Sequence, residues 1–122
     1  MIDSHLKNFV NKAKNNNKKL CFAAISFDVI SVENIRFLRD AKQKVDFLIV
    51  GIKPEKYDVV LIEDKIEILQ NMEMVDFAFE IKTDIDEVKN EINPDLFFEG
   101  KPNFDIYEKI IEKTGSKKIL DT

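Results

Sequence analysis

Residues 26–34 place hydroxyl, aromatic, carboxylate and amide groups in one short stretch: Ser26, Phe27, Asp28, Ser31 and Asn34. Hydroxyl and amide groups hydrogen-bond phosphates, an aromatic ring can stack on a base, and a carboxylate can ligate Mg²⁺ or hold a ribose. Structural interpretations compete with each role. We favour Phe27 packing at a strand end, Asp28 as a turn residue and Ser31 as a helix cap, since no histidine lies near Ser31 to activate it.

The flanking elements decide where these groups lie. Leu20–Ile25 is a short apolar run that predicts a buried strand. Residues 32–44 carry apolar side chains at helical spacing and predict a helix. Its inner stripe is predicted to be Ile35, Leu38 and Ala41, with Phe37 beside it. A loop between a strand and a helix N-terminus is the usual anion site of an open parallel sheet. We therefore place the candidate site at this turn.

The rest of the chain alternates in the same way. An N-terminal helix capped by Asp3 or Ser4 precedes the first strand. We predict further strands at 45–52, 74–81, 95–99 and 117–120, and further helices at 63–72, 84–91 and 104–114, with 59–62 open between strand and helix. This order predicts a Rossmann-like three-layer α/β/α domain with a five-stranded, mostly parallel sheet. We expect residues 1–122 to form one domain, with an N-terminal helix in 1–17 and a core in 18–120.

Composition narrows the function classes. The net charge is −4, which disfavours a nucleic-acid partner, and no apolar run is long enough to span a membrane. The lysines between Lys12 and Lys19 are interpreted as a solvated helix end, with a phosphate patch as the less favoured alternative. Cys21, the only cysteine, is expected in the core, and His5 is expected in solvent. With no apolar segment after the polar first five residues, we expect a cytoplasmic protein.

Four segments, in order, resemble one family. Residues 25–34 read Ile-Ser-Phe-Asp-Val-Ile-Ser-Val-Glu-Asn and resemble the Gly-x-Phe-Asp-x-x-His-x-Gly-His motif of cytidylyltransferase-like nucleotidyltransferases. Residues 64–69 resemble the family's Glu-Arg-x-Glu-x-Leu helix, residues 74–79 its Val-Asp strand, and residues 94–100 its Pro-Asp-x-x-x-Lys-Gly strand. The resemblance covers about residues 18–120 and is strongest to enzymes acting on sugar phosphates and glycerol phosphate.

The departures from this pattern fall on its functional positions. The two motif histidines, which in the family contact the nucleotide phosphates, are Ser31 and Asn34 here, and neither can carry positive charge. The two motif glycines are Ile25 and Glu33. Glu33 puts a carboxylate at the helix N-terminus, where it would repel a triphosphate. The resemblance therefore implies a degenerate form of the catalytic motif.

Two further positions also depart from the family pattern in a way that weakens anion binding. The arginine of the family's helix is Lys65, which keeps the charge and loses the bidentate fork, and the late Lys-Gly is Glu99-Gly100, a reversal of charge. If nucleotide binding persists, the resemblance assigns it to seven residues: Ser26, Phe27, Asp28, Ser31, Asn34, Lys65 and Gly100. No metal site is predicted, and Mg²⁺ is expected only together with CTP or ATP.

Three functions follow, in order of preference. The first is a pseudoenzyme: a catalytically degenerate nucleotidyltransferase-like protein that serves as a non-catalytic binding or assembly module. The second is a sensor that binds CTP or ATP without turnover. The third is an active nucleotidyltransferase on a sugar or polyol phosphate that uses substituted residues. A protein partner or self-association is expected, and the resemblance implies a dimer.

Overall fold

A computed structural model of the protein describes residues 2–26, 32–54 and 60–99 and the backbone of 109–112. Within these ranges the chain forms four helices and five strands. In chain order they are α1 (Ser4–Asn15), β1 (Leu20–Ile25), α2 (Val32–Gln43), β2 (Phe47–Ile52), α3 (Ile62–Gln70), β3 (Phe77–Glu80), α4 (Ile85–Ile92), β4 (Leu96–Glu99) and β5 (Lys109–Glu112).

The sheet has the strand order β3-β2-β1-β4-β5, and its first four strands are parallel. β1 lies between β2 and β4, and all six of its residues are buried. A parallel strand covered on both faces must be apolar throughout, which explains the unbroken apolar run of this segment. The predicted α/β fold with a parallel, Rossmann-like sheet is confirmed for these four strands.

Helices cover both faces of the sheet. One core joins α2 and α3 to one face through Phe37, Leu38 and Leu69, and a second core joins α1 and α4 to the opposite face through side chains such as Val10 and Val88. Side chains along each strand alternate between the two cores, as a pleated strand requires. This arrangement gives the predicted helix, sheet and helix layers.

The predicted helix over 104–114 is wrong, because its residues 109–112 form strand β5, antiparallel to β4. The apolar residues near Ile110 and Ile111 fit helical spacing, but a short apolar run also fits a strand. The strand forms here because the edge of β4 offers backbone N–H and C=O groups with which a further strand can pair. The predicted strand at 117–120 lies outside the described residues.

Three aspartates fix the amino edge of the sheet, where the parallel strands begin. The Oδ2 atom of Asp95 accepts the Leu20 N–H at 2.8 Å, that of Asp46 accepts the Lys19 N–H at 2.7 Å, and that of Asp76 accepts the Leu48 N–H at 2.8 Å. Each carboxylate therefore satisfies a backbone donor on the neighbouring strand or just before it. The Val-Asp and Pro-Asp segments are structural, and they lie at the edge opposite the candidate site.

Replacing Asp76 by alanine is expected to lower the free energy of unfolding by about 2 kcal/mol, because the partly buried Leu48 N–H loses its side-chain acceptor and the Lys42 Nζ loses an ion pair of 2.6 Å. Urea unfolding followed by circular dichroism measures the loss. Asp76→Asn is the matched control: its amide oxygen can still accept the N–H, so its loss should be smaller. Equal losses in both variants would contradict this role.

Candidate functional site

The strand order reverses beside β1 at the carboxyl edge of the sheet. The chain passes from β1 to β2 on one side and returns through α4 to β4 on the other. Ala24 of β1 is in register with Glu99 of β4, and Ser26 follows β1 directly. Ligands of open α/β sheets bind at such a reversal. The fold therefore defines a Rossmann-like domain, and the turn after β1, where the sequence predicts the candidate site, leaves the sheet at this reversal.

The first turn of α2 supplies the nearest helix N-terminus after β1. Asn34 is buried at 7% exposure and lies on the inner face of the helix with Phe37, Leu38 and Ala41. The predicted inner stripe began at Ile35, which is only half-buried, so the true stripe starts one residue earlier. The side chain of Asn34 thus places a buried amide at this turn, where it can donate and accept hydrogen bonds without carrying charge.

Lys65 is the buried cation of this edge. It lies in α3, its side chain is 0% exposed, and it shares the inner face of the helix with Leu69. A lysine is almost never buried without a partner because an isolated buried ammonium is very costly. Lys65 does have an interaction partner. The lysine predicted for the site is therefore enclosed by protein and not open to solvent.

The helix N-termini at the carboxyl edge are acidic. The first turns of α2, α3 and α4 carry exposed carboxylates: Glu33, Glu63, Asp64, Asp86 and Glu87. Each stabilises its own helix by about 0.3–1 kcal/mol through the helix dipole. The same charges oppose a polyanion approaching these N–H groups. The sequence indicated Glu33 as such a charge, and the fold adds the other four to the same edge.

Two large apolar side chains are also exposed beside these turns. Val32 begins α2 and is 60% exposed, and Leu61 precedes α3 and is 65% exposed. Both helices pack on the same face of the sheet. Exposed apolar side chains next to charged ones are typical of surfaces that contact other proteins. Sequence reasoning missed this feature, because helical periodicity alone does not distinguish a helix end that is covered from one that is open.

The structure brings three of the seven predicted contact residues to this edge: Ser26, Asn34 and Lys65, all buried. The other four, Phe27, Asp28, Ser31 and Gly100, lie outside the described residues, as does the proposed capping role of Ser31. Glu99 is half-buried at the end of β4. Among the residues that the structure describes, no three His, Cys, Asp or Glu side chains are grouped to hold a metal ion.

Cys21 and His5 lie where the sequence predicts them. Cys21 is fully buried in β1, and burial raises the pKa of its thiol far above the ordinary value, so the group stays protonated and unreactive. His5 is exposed in α1. No helix in the described part of the chain combines the length and apolar character needed to cross a membrane.

Comparisons with known proteins agree with this geometry. No protein-family model matches the chain. It is 32% identical over 115 residues to the bifunctional protein HldE of Sulfurimonas denitrificans, a match that covers 80% of this chain and 24% of the relative. The chain therefore spans about a quarter of the length of that protein.

A solved structure shows the same fold. The lipopolysaccharide core biosynthesis protein of Thermoplasma volcanium superposes with a TM-score of 0.59 at 20% identity, over 64% of this chain and 70% of that one. Together with the ordered motifs, the two similarities support a nucleotidyltransferase-like relationship for this chain.

Proposed function

We propose that this protein is a catalytically degenerate nucleotidyltransferase-like protein that acts as a non-catalytic binding or assembly module. One observation carries the proposal: the helix N-termini at the carboxyl edge present exposed carboxylates where a triphosphate needs positive charge. Nucleotidyl transfer depends on positioning and on neutralising the negative charge that develops on the leaving pyrophosphate. The described part of this edge instead presents negative charge, which would oppose that neutralisation.

The substitutions at the motif support the same conclusion. Ser31 and Asn34 stand where the family has histidines, and loss of one such donor lowers the rate by about 10²–10³. Glu33 adds a negative charge between them. Losses of this size at two positions multiply to about 10⁴–10⁶, and the added repulsive charge lowers the rate further, so we expect negligible nucleotidyl transfer.

The same edge has the properties of a protein contact. Val32 and Leu61 expose apolar surface, and Glu33, Glu63 and Asp64 place negative charge in the helix turns that begin beside them. An apolar centre with a charged rim is the usual composition of a protein interface. The partner that complements it is a segment with apolar and basic side chains, from another protein or from a second copy of the chain.

A second candidate function is nucleotide binding without turnover, and the burial of Lys65 favours it. A cation held at this depth is costly to keep, and a site that still receives phosphate is one reason to retain it. In that case CTP or ATP would bind with Mg²⁺ against Ser26, Asn34 and Lys65. The third possibility, an active enzyme on a sugar or polyol phosphate, requires other groups to replace both histidines.

Titration with CTP or ATP in the presence of Mg²⁺ separates these functions. We expect no saturable change in the backbone amide shifts of Ser26, Asn34 and Lys65, and no release of pyrophosphate when glycerol phosphate or a sugar phosphate is added. Saturable shifts that disappear in Lys65→Met would establish the sensor instead. Pyrophosphate release above the buffer rate would establish the enzyme and exclude our proposal.

A restored variant is the matched control for this experiment. Ser31→His, Glu33→Gly and Asn34→His together remove one carboxylate and return two histidines and one glycine to the motif. Because the change replaces repulsion by attraction at the same helix N-terminus, we expect this variant to bind the triphosphate more tightly than the natural protein by at least tenfold. Equal affinity would show that the charge of this turn does not control binding.

A further inference from the structure

A second surface lies at the amino edge of the sheet, on the side of the molecule opposite the candidate site. Here the C-terminal half of α1 and the start of β2 enclose a slot of about 270 Å³. Six residues line it: Phe9, Lys12, Ala13, Asn16, Lys18 and Phe47. The preceding function does not use this slot.

The floor of the slot is apolar and fixed. The Phe9 and Phe47 rings meet edge to face with centroids 5.3 Å apart, and Phe9 also packs against Phe77 at 5.5 Å. Ala13 is buried and also lines the slot. Because these ring contacts hold Phe9 and Phe47 in place, the slot is already formed before a ligand binds.

The rim of the slot is basic. Lys12 and Lys18 are exposed, and neither forms an ion pair with another residue that the structure describes. Lys42 also approaches Phe47, with its Nζ 5.6 Å from the ring centroid, but Asp76 neutralises it. Asp46 is the carboxylate beside Phe47, and its Oδ2 accepts the Lys19 N–H.

We propose that this slot docks an acidic segment of a partner protein. One apolar or aromatic side chain of the segment packs over the Phe9 and Phe47 rings, and flanking carboxylates pair with Lys12 and Lys18. The charge selects the partner: the chain as a whole carries −4, yet around an apolar floor this slot presents two lysines that pair with no residue in the described part of the chain. Complementary charge speeds encounter and fixes orientation, while the buried side chain supplies most of the affinity.

The size of the slot excludes the main alternatives. Pockets for cofactors and other small molecules usually measure about 300–1,000 Å³, so this one suits a single side chain better. Two lysines are also too few for a nucleic acid, whose binding depends on several phosphate contacts. The proposal is independent of the function proposed for the carboxyl edge and can fail or hold separately.

The test is a titration of the ¹⁵N-labelled protein with the capped peptide Glu-Asp-Phe-Asp-Glu. We expect saturable shifts at Phe9, Lys12, Lys18 and Phe47, and at least a tenfold loss of affinity in Lys12→Glu/Lys18→Glu. Lys7→Glu/Lys82→Glu changes the net charge equally at exposed lysines outside the slot, and its affinity should stay within about twofold of the natural protein's.

Two further titrations identify the ligand of the slot. The peptide Glu-Asp-Ala-Asp-Glu should bind at least tenfold more weakly, since it lacks the aromatic ring that packs on Phe9 and Phe47. Inorganic phosphate should leave Phe9 and Phe47 unshifted. Absence of saturable shifts with the first peptide, equal binding of the alanine peptide, or equal affinity of the two double variants would each overturn the proposal. Phosphate binding that displaces the peptide would replace it with an anion patch.

Discussion

Phe22→Ala is expected to lower the free energy of unfolding by about 3–5 kcal/mol. Phe22 is 0% exposed at the centre of β1, and its ring packs against Phe97 at 5.5 Å and Phe79 at 6.0 Å between centroids. Removing the ring opens a cavity between the sheet and helices α1 and α4, and both neighbouring rings lose a contact. Domains of this size are stabilised by only about 5–15 kcal/mol, so this loss is a large share.

Urea unfolding followed by circular dichroism measures this effect, because the chain has no tryptophan to report by fluorescence. Phe22→Leu keeps most of the apolar volume and should lose clearly less. Phe79→Ala is the second control: Phe79 belongs to the same aromatic group but is only half-buried at the edge strand β3. A loss for Phe22→Ala no larger than that for Phe79→Ala would show that the ring is not the centre of this core.

Gly51→Val is expected to destabilise the fold by about 3 kcal/mol, and Gly51→Ala by about 1–3 kcal/mol. A Cβ atom at Gly51 would lie 2.8 Å from the Ile81 side chain and 2.9 Å from the Phe22 ring. Both neighbours are buried, and Phe22 is held by two other rings, so neither can move freely. The cause is overpacking, since the backbone at Gly51 has no positive φ.

A double-mutant cycle tests this explanation directly. In Phe22→Leu the atom that meets the new Cβ is removed, so Gly51→Ala should lose less stability there than in the natural protein. We expect a coupling of at least about 0.5 kcal/mol between the two positions, as is usual for residues in contact. Additive losses would mean that Ile81, or the strand itself, sets the requirement for glycine.

The sequence located the central elements well because their signals are local. The bounds of β1 were predicted to the residue, since the strand is covered on both faces and its apolar run stops where burial stops. The predicted strands at 45–52 and 74–81 were too long. Their first residues lead into the strands through the Asp46 and Asp76 contacts, which depend on the neighbouring strand and have no local signature.

The sequence predicts the candidate site from residue types and from the position of β1, and the site stays a prediction. The absence of histidine at Asn34 and the carboxylate of Glu33 are properties of the sequence itself. The depth of burial of Asn34 and Lys65 depends on how α2 and α3 pack on the sheet, and only the fold shows it. The three acidic helix N-termini meet at one edge because parallel strands place every following helix start there.

What the sequence by itself determined is the alternation of strands and helices, the parallel sheet that follows from it, and the residue types of the turn after β1. These depend on hydrophobic periodicity and residue type, both of which are local properties. The tertiary structure alone decided that 109–112 pair with β4, that Asp76 and Asp95 brace the amino edge, and that Phe9 and Phe47 form a slot beneath Lys12 and Lys18. Each of these joins residues far apart in the chain, and such contacts are determined by packing, which no local pattern encodes.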